Sequence, residues 1–444
     1  MADAALRLTR LAEELLSVPL PVRIRAWDGS EAGPPGAPVL AIRDRRAVRR
    51  LLWKPGELGL ARAWVAGEID VEGDLYEALD LLADLIWERE GDGPGAVRAL
   101  RDPRLRAAAR ELLKLGGPCP PPPPPPEELR RHTGRLHTRR RDREAISHHY
   151  DVGNDFYSLV LGPSMVYSCA YFPDPDASLE DAQRDKLDLV ARKLDLKRGQ
   201  RLLDVGCGWG SMALHAARHY GVHVTGITIS AEQAAHARER VAEEGLADRV
   251  EIRVQDYRDV LPQALGSAQA GDAPFGPYDA ISSIGMAEHV GAVRYGEYAA
   301  DLYALLKPGG RLLNHQIARR PLTSEETYHV DAFIDSYVFP DGELAPVGRT
   351  VALLEEAGFE VRDLESIREH YALTLRHWVA RLEKNWEAAV QTVTPGRARV
   401  WRLYMAASAL SFEHNKIGVN QVLAVKPAAS GASGLPLRSR VWGG

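Results

Sequence analysis

The sequence predicts an α/β fold: a mostly parallel sheet with helices on both faces, preceded by a smaller mixed or helical domain. Two observations support this fold class. Strand-like apolar runs alternate with helical stretches, which implies parallel βαβ units. Polar or glycine-containing segments follow the runs, at the carboxyl ends of the strands, where ligands of such sheets bind. The runs begin at Leu202 and continue with Val222–Ile229, Val250–Val254, Tyr278–Ile284 and Arg311–Ile317.

A glycine-rich turn follows the first run. The segment Leu202–Gly210 reads LLDVGCGWG, so Asp204 precedes glycines at 206, 208 and 210. This is how a strand ends in a tight turn and leads into a helix, with backbone close enough to touch a ligand. A nucleotide-like cofactor is the first hypothesis, and a plain strand-to-helix turn is the alternative for this segment alone. Dinucleotide binding would favour an acidic residue after the second strand, where Thr228 and Ser230 stand instead.

The glycine turn and its neighbours carry a family resemblance. DVGCGWG, together with KPGG at 307–310, resembles class I S-adenosylmethionine-dependent methyltransferases, whose sheet is Rossmann-like. An ordered set of further motifs resembles the cyclopropane-fatty-acyl-phospholipid synthase family, which includes the mycolic acid cyclopropane synthases, from Ser147 to Val425. These motifs are HYDVGNDFY (His149–Tyr157), MVYSCAYF (Met165–Phe172), GITIS, DYRD (Asp256–Asp259), IGMAEHVG (Ile284–Gly291), NHQI (Asn314–Ile317) and HYALTLRHW (His370–Trp378).

The resemblance implies S-adenosylmethionine as the cofactor. The residues implied in binding it are Tyr167 and Ser168 at the sulfonium end, Gly206 and Gly208 at the amino-acid portion with Asp204 and Gly210 in the same loop, Thr228 and Gln233 at the ribose, and Asp256 and Tyr257 at the adenine. The activity implied is addition of a methylene group across a cis double bond of an unsaturated phospholipid acyl chain, through a carbocation. Aromatic faces suit a cation, and core packing is the alternative for each ring. The rings are Tyr150, Phe156, Tyr167, Tyr171 and Phe172.

The resemblance also implies bicarbonate as the base. Its ligands would be Cys169, Glu288, His315, the backbone of Ile317, and Tyr371. Thiol, imidazole, phenol and amide donate hydrogen bonds and the carboxylate accepts one, as a protonated oxyanion requires. Taken singly, each residue also has a structural interpretation, such as a buried small side chain or a helix-face aromatic. No metal ligand set is expected.

Two other functions remain open. A branching methyltransferase of the same family would lose a chain proton instead, and a separate reductase partner would saturate the methylene branch. A lipid-binding module with a degenerate cofactor site is the second alternative.

The length of 444 residues predicts two or three folded units. We expect an amino-terminal lipid-associated domain at 1–115, a linker at 116–143 and a catalytic domain at 144–444. The run Pro120–Pro126 predicts a stiff spacer, with a protein-recognition motif as the alternative. The segment Gly56–Leu79 resembles the amino-terminal domain of longer, phospholipid-acting family members, which favours whole phospholipids as substrates.

Charge and composition indicate where in the cell the protein is expected to be. No signal-peptide pattern or membrane-spanning apolar run is evident, and the three cysteines form no paired framework, so a cytoplasmic protein is expected. Arg130–Arg143 holds seven arginines and one acid, a local charge of +6 in a chain of net charge −5. It predicts peripheral attachment to anionic lipid on the inner face of the plasma membrane, with a solvated linker end as the alternative. Nucleic acid is disfavoured because no aromatics accompany the arginines. A homodimer is left open.

Overall fold

The computed structural model describes residues 3–87, 103–117, 119–129, 138, 139, 141, 152–261, 278–324, 328, 330–340, 342–437 and 440. The strands are β1 (Arg23–Arg25), β2 (Glu31–Ala32), β3 (Val39–Ile42), β4 (Ile69–Glu72), β5 (Arg201–Val205), β6 (His223–Thr228), β7 (Val250–Val254), β8 (Tyr278–Ile284), β9 (Leu306–Arg319), β10 (Glu360–Ser366) and β11 (Ile417–Val425). The helices are α1 (Ala4–Leu16), α2 (Arg45–Trp53), α3 (Glu57–Val65), α4 (Leu75–Trp87), α5 (Pro103–Gly116), α6 (Asn154–Leu161), α7 (Leu179–Leu194), α8 (Ser211–His215), α9 (Ala231–Glu243), α10 (Ala287–Val290), α11 (Tyr295–Leu305), α12 (Ala332–Tyr337), α13 (Val347–Glu356), α14 (Arg368–Lys384), α15 (Trp386–Thr392) and α16 (Pro395–Glu413).

Contacts divide the chain into two compact units that are not contiguous in sequence. Unit 1 comprises Met1–His132, Asp331–Val338 and Trp386–Leu410, and unit 2 comprises the remainder. The catalytic domain drawn from sequence at 144–444 therefore does not coincide with unit 2, because two of its segments belong to unit 1. Within unit 1, Trp64 Nε1 donates to the carbonyl of Arg399 at 2.9 Å, and Arg399 Nε donates back to the carbonyl of Trp64 at 2.6 Å.

Unit 1 contains a four-stranded sheet in the order β2-β1-β3-β4. Beside it, the buried pair Arg50 and Glu68 meets at 2.7 Å, and Arg50 Nη1 also donates to the carbonyl of Pro123 at 2.8 Å. Pro125 is buried as well. Two prolines of the run are thus tied to the rest of unit 1, while most of Pro120–Pro126 is exposed, and the stiff spacer stays a prediction. Proline excludes helix and central strand, but its carbonyls still accept hydrogen bonds.

Unit 2 contains a seven-stranded sheet in the order β10-β11-β9-β8-β5-β6-β7. The strands β5 to β9 pair in parallel, and β10 and β11 add an antiparallel edge. The predicted α/β class is confirmed. Strand β9 is longer than expected, because the KPGG turn joins the pairing: Gly309 N donates to the carbonyl of Lys426 at 2.7 Å.

Both faces of this sheet are buried under helices. Leu202 contributes to a core with residues of α7, α8 and α9, and its neighbour Leu203 contributes to a core with residues of α11 and α13 on the other face. Strands covered on both sides have successive buried residues, as β5 and β6 do after their first residue. The described helices include none that is long and apolar enough to span a bilayer.

Two expectations concern residues with little structural description. Tyr150 lies outside the described residues. So does most of Arg130–Arg143, of which only Thr138, Arg139 and Arg141 are described.

Candidate active site

A cavity opens at the carboxyl ends of β5, β6 and β8. Its volume is about 1070 Å³, counting the mouth to solvent. Of the residues expected to bind cofactor, those lining it are Tyr167, Ser168, Asp204, Gly206, Gly208, Thr228, Gln233, Asp256 and Tyr257. Gly210 is the one expected cofactor residue that does not line the cavity.

Two glycines of the turn are required for different structural reasons. Gly206 has φ +74°, and a Cβ there would lie 3.2 Å from Met286 Sδ, so both conformation and space favour glycine. Gly210 has φ +81° and starts α8, and a Cβ there would lie 3.1 Å from the Cβ of Ala237 on α9. Its assignment to the cofactor is corrected accordingly: Gly210 lets two helices approach closely.

Asp204 lies at the base of the turn. It is buried, and its Oδ1 accepts a hydrogen bond from Ser282 Oγ at 2.7 Å. Its Oδ2 has no hydrogen-bond partner among the described residues. Burial raises the pKa of Asp204 to about 6. A buried acceptor without a partner is costly, so this oxygen suits a donor group of a bound ligand.

The polar groups expected at ribose and adenine are paired within the protein. Ser230 caps α9 by accepting from the backbone of Gln233 at 3.2 Å, which fixes the first turn of the helix at the cavity. Thr228 Oγ1 donates to Gln233 Oε1 at 2.9 Å. The carboxylate of Asp256 accepts from Arg258 at 2.8 and 2.6 Å; although burial raises the pKa of Asp256, Arg258 holds it below its usual range.

The expected bicarbonate ligands form two groups, and the first lies where β8 and β9 end. Glu288 Oε1 accepts the backbone N–H of Ile317 at 2.7 Å, while Glu288 Oε2 is buried with no partner in the described chain. Burial raises the pKa of Glu288 to about 7. This contact corrects the expectation for Ile317: its amide is engaged by the carboxylate rather than held ready for an oxyanion.

His315 lies two residues before Ile317 on β9. It is buried, its Nδ1 lies 3.3 Å from Gln421 Nε2, and its Nε2 has no hydrogen-bond partner within the described residues. Burial, with Lys186 nearby, holds the pKa of His315 well below its usual range, so the ring is neutral. Glu288 and His315 each bring one unsatisfied polar atom to this end of the sheet.

Cys169 and Tyr371 form the second group, at α14. The backbone N–H of Ala170 donates to Thr374 Oγ1 at 3.0 Å, which ties the YSCAYF segment to the helix beside Tyr371. The Cys169 thiol is fully buried and donates to the carbonyl of Ile367 at 3.7 Å. Burial raises the pKa of Cys169 well above its ordinary value, so it is a thiol and not a thiolate.

An aromatic row links this second group to the cavity. The ring of Trp378 lies 5.3 Å from that of Tyr167, a cavity-lining residue, and 6.1 Å from that of Tyr371. Phe172 instead stacks on His377 at 5.6 Å, and Tyr171 on His370 at 4.8 Å, which supports packing roles for those two rings.

Comparison with known proteins identifies the family of this chain. Residues 137–422 match the family model described as mycolic acid cyclopropane synthetase. The chain belongs to this family. It is accordingly an S-adenosylmethionine-dependent methyltransferase.

Three relatives illustrate the similarity. A Mycobacterium tuberculosis protein named "Probable fatty acid methyltransferase" is 44% identical over 423 residues, covering 94% of each chain. The cyclopropane-fatty-acyl-phospholipid synthase of Escherichia coli is 40% identical over 275 residues, covering 62% of this chain and 66% of that protein. The crystal structure of mycolic acid cyclopropane synthase CmaA1 with SAH and CTAB is 32% identical with a TM-score of 0.57, covering 64% of this chain and 97% of that one.

Sequence reasoning missed residues of this methyltransferase's cavity that α7 and α10 supply. Lys186 and His289 both line it. The signal for Lys186 was available: on α7 it continues the spacing of Leu179 and Ala182, where an apolar side chain would be expected. A lysine in a buried helical stripe marks a site that packing alone does not explain.

Proposed function

We propose that this enzyme adds a methylene group from S-adenosylmethionine across a cis double bond of an unsaturated phospholipid acyl chain, closing a cyclopropane ring, with bicarbonate as the base. The observation that carries the proposal is the pair of buried, unpartnered atoms Glu288 Oε2 and His315 Nε2 in the described chain. Similarity to the E. coli synthase supports the lipid substrate.

The cavity fits the cofactor. Asp204 Oδ2 is an unsatisfied acceptor on its wall, and the Gly206 turn brings backbone to its surface. When bound, S-adenosylmethionine supplies an electrophilic methyl group. Ser168, at the expected sulfonium end, is buried, which limits the access of water to that part of the cavity.

The group formed by Glu288 and His315 fits a hydrogencarbonate ion. Neutral His315 can donate a hydrogen bond through Nε2, and Glu288 is an acceptor when ionised. With the pKa of Glu288 at about 7, that acceptor is available at and above neutral pH. The arrangement suits holding a base close to a methyl group in a dry site.

A methyl-branched product is the second candidate, because the M. tuberculosis relative that matches over 94% of both chains is named a fatty acid methyltransferase. In that case a separate reductase would complete the product. The test is incubation with S-adenosylmethionine and vesicles of a cis-monounsaturated phospholipid, followed by NMR of the released fatty acids. High-field cyclopropyl protons are expected; vinylic methylene protons would support the branching reaction instead.

We also propose peripheral attachment to the cytoplasmic face of the membrane through the arginine segment 130–143. Of its described residues, Arg139 pairs with Asp259 at 2.9 Å, close to the expected adenine contact at Asp256. Both side chains of the pair are more than a third exposed, so it contributes little to stability. We expect the other arginines of the segment to contact anionic lipid head groups.

A further inference from the structure

Helix α7 carries two buried lysines two turns apart. Lys186 and Lys193 are 1% and 0% exposed. Lys193 has a carboxylate partner, since its Nζ donates to Glu365 Oε2 at 2.5 Å and to Gln421 Oε1 at 2.7 Å. Lys193 and Glu365 thus form a structural ion pair, as is expected for a buried charge.

Lys186 has no such pair. Its Nζ donates to Ser168 Oγ at 2.9 Å, and no carboxylate in the described chain lies within salt-bridge distance of it. An ammonium group carries three donors, and an isolated buried charge is costly. Such a charge is retained where a ligand uses it, and Lys186 lies on the wall of the cofactor cavity.

The charge of Lys186 acts on three residues that are expected to bind the cofactor or bicarbonate. Burial raises the pKa of Asp204 and of Cys169 and lowers that of His315, and the charge of Lys186 acts to lower all three. Asp204 does not form a salt bridge with Lys186: Oδ1 accepts from Ser282, and Oδ2 has no hydrogen-bond partner among the described residues.

The neighbouring turn of α7 fixes the hydroxyl that Lys186 contacts. Gln183 Nε2 donates to the backbone carbonyl of Ser168 at 2.9 Å, one turn before Lys186, and Gln183 is fully buried. Helix α7 therefore holds Ser168 by both its backbone and its side chain. Ammonium and hydroxyl together form a rigid pair of donors at the cavity wall.

We propose that Lys186 is a ligand-binding residue whose ammonium group, positioned with Ser168, supplies the positive charge for a carboxylate-type oxyanion held in this cavity. The oxyanion is either the α-carboxylate of S-adenosylmethionine or bicarbonate. The bicarbonate alternative rests on the proposed function, whereas the cofactor alternative requires only that the protein binds S-adenosylmethionine.

The experiment compares Lys186→Met with the matched control Lys193→Met. Calorimetry in bicarbonate-free buffer measures binding of S-adenosylmethionine and of its decarboxylated analogue to the full-length protein. If the carboxylate is the ligand, wild type prefers the carboxylated form, and Lys186→Met reduces that preference by about 10- to 100-fold, the range for a hydrogen bond to a charged group. Lys193→Met keeps the preference.

If bicarbonate is the ligand, Lys186→Met keeps the wild-type preference for S-adenosylmethionine but needs a higher bicarbonate concentration for half-maximal turnover. The proposal is overturned if Lys186→Met matches wild type in both measurements. Failure of the proposed lipid reaction would appear in the NMR product analysis and would leave these cofactor affinities as they are.

Unfolding provides the second readout. Replacing an unpaired buried charge with an apolar side chain of similar length is neutral or stabilising, so Lys186→Met should melt at or above the wild-type temperature. Lys193→Met should melt lower, because it leaves Glu365 without its partner. Should Lys186→Met not fold, Lys186→Gln serves the same binding test, since its amide can still donate to Ser168 but carries no charge.

Discussion

Glu288 allows stability and catalysis to be separated with one substitution. The ionised carboxylate is disfavoured by burial, which raises its pKa from 4.5 to about 7. Glu288→Gln keeps the shape and leaves an oxygen to accept the Ile317 N–H, but it removes the ionisation. The variant should therefore fold well and turn over poorly, because its one amide oxygen is used by Ile317 and its NH2 group donates where Glu288 Oε2 would accept a hydrogen bond from the bound base.

The size of the stability effect follows from the shift in the pKa of Glu288. Between pH 4.5 and 7 the folded state binds the proton more tightly than the unfolded state, so stability that is fully present below pH 4.5 is lost as pH rises through 7. A shift of roughly 2.5 pKa units corresponds to about 3 kcal/mol. Glu288→Gln cannot ionise at this position, so its stability does not fall in this way as the pH rises. Above pH 7 it should be more stable than wild type by up to about 3 kcal/mol, with the difference shrinking towards acid pH.

Urea unfolding near pH 5 and near pH 8 measures this difference directly. Glu297→Gln is the control, because both Glu297 and its salt-bridge partner Arg294 are exposed. Equal pH dependence of unfolding in wild type and Glu288→Gln would refute the electrostatic reasoning. Wild-type turnover by Glu288→Gln would refute the carboxylate's place in the reaction, and unchanged affinity for S-adenosylmethionine is the expected result in either case.

Three further outcomes are expected. Cys169→Ser should retain more turnover than the glutamate variant, because a hydroxyl still donates; complete loss would indicate a role that requires sulfur. Gly210→Ala should lower the unfolding temperature, since φ +81° and a 3.1 Å approach to α9 leave no room, yet calorimetry should show unchanged cofactor affinity; weakened cofactor binding with unchanged stability would contradict the packing role. Alanine at Arg139, Arg140 and Arg141 should weaken sedimentation with anionic vesicles, and wild-type binding should fall steeply with salt, because charges beyond about 8–10 Å are screened. Salt-independent sedimentation would point to apolar insertion.

The parts of the fold that sequence predicted are those with a strong local signal. Strands β7 and β8 have the predicted bounds, and Gly206 sits in the predicted turn. The antiparallel edge formed by β10 and β11 was not predicted. Its pairing partners lie more than fifty residues apart, so no local pattern reveals it.

The same distinction applies to the candidate site: some of its features have a local sequence signal and others have none. Most residues expected from the motifs line one cavity, because parallel strands bring their carboxyl ends to one edge of the sheet. The motif positions could show no more than this. They did not show that Glu288 accepts a hydrogen bond from the Ile317 amide, that Gly210 serves packing, or that Lys186 is buried with no carboxylate partner among the described residues. Each of these depends on which side chains meet across the sheet, and spacing along the chain carries no information about that.

The reciprocal hydrogen bonds between Trp64 and Arg399 join residues 335 positions apart. During synthesis, chains emerge at about 5–20 residues per second and amino-terminal domains generally fold first. Unit 1 cannot follow that order, because its last segment, Trp386–Leu410, leaves the ribosome after most of unit 2. The first part of the chain to be made is thus among the last to be completed, and unit 1 cannot be obtained intact by cutting the chain at a single point.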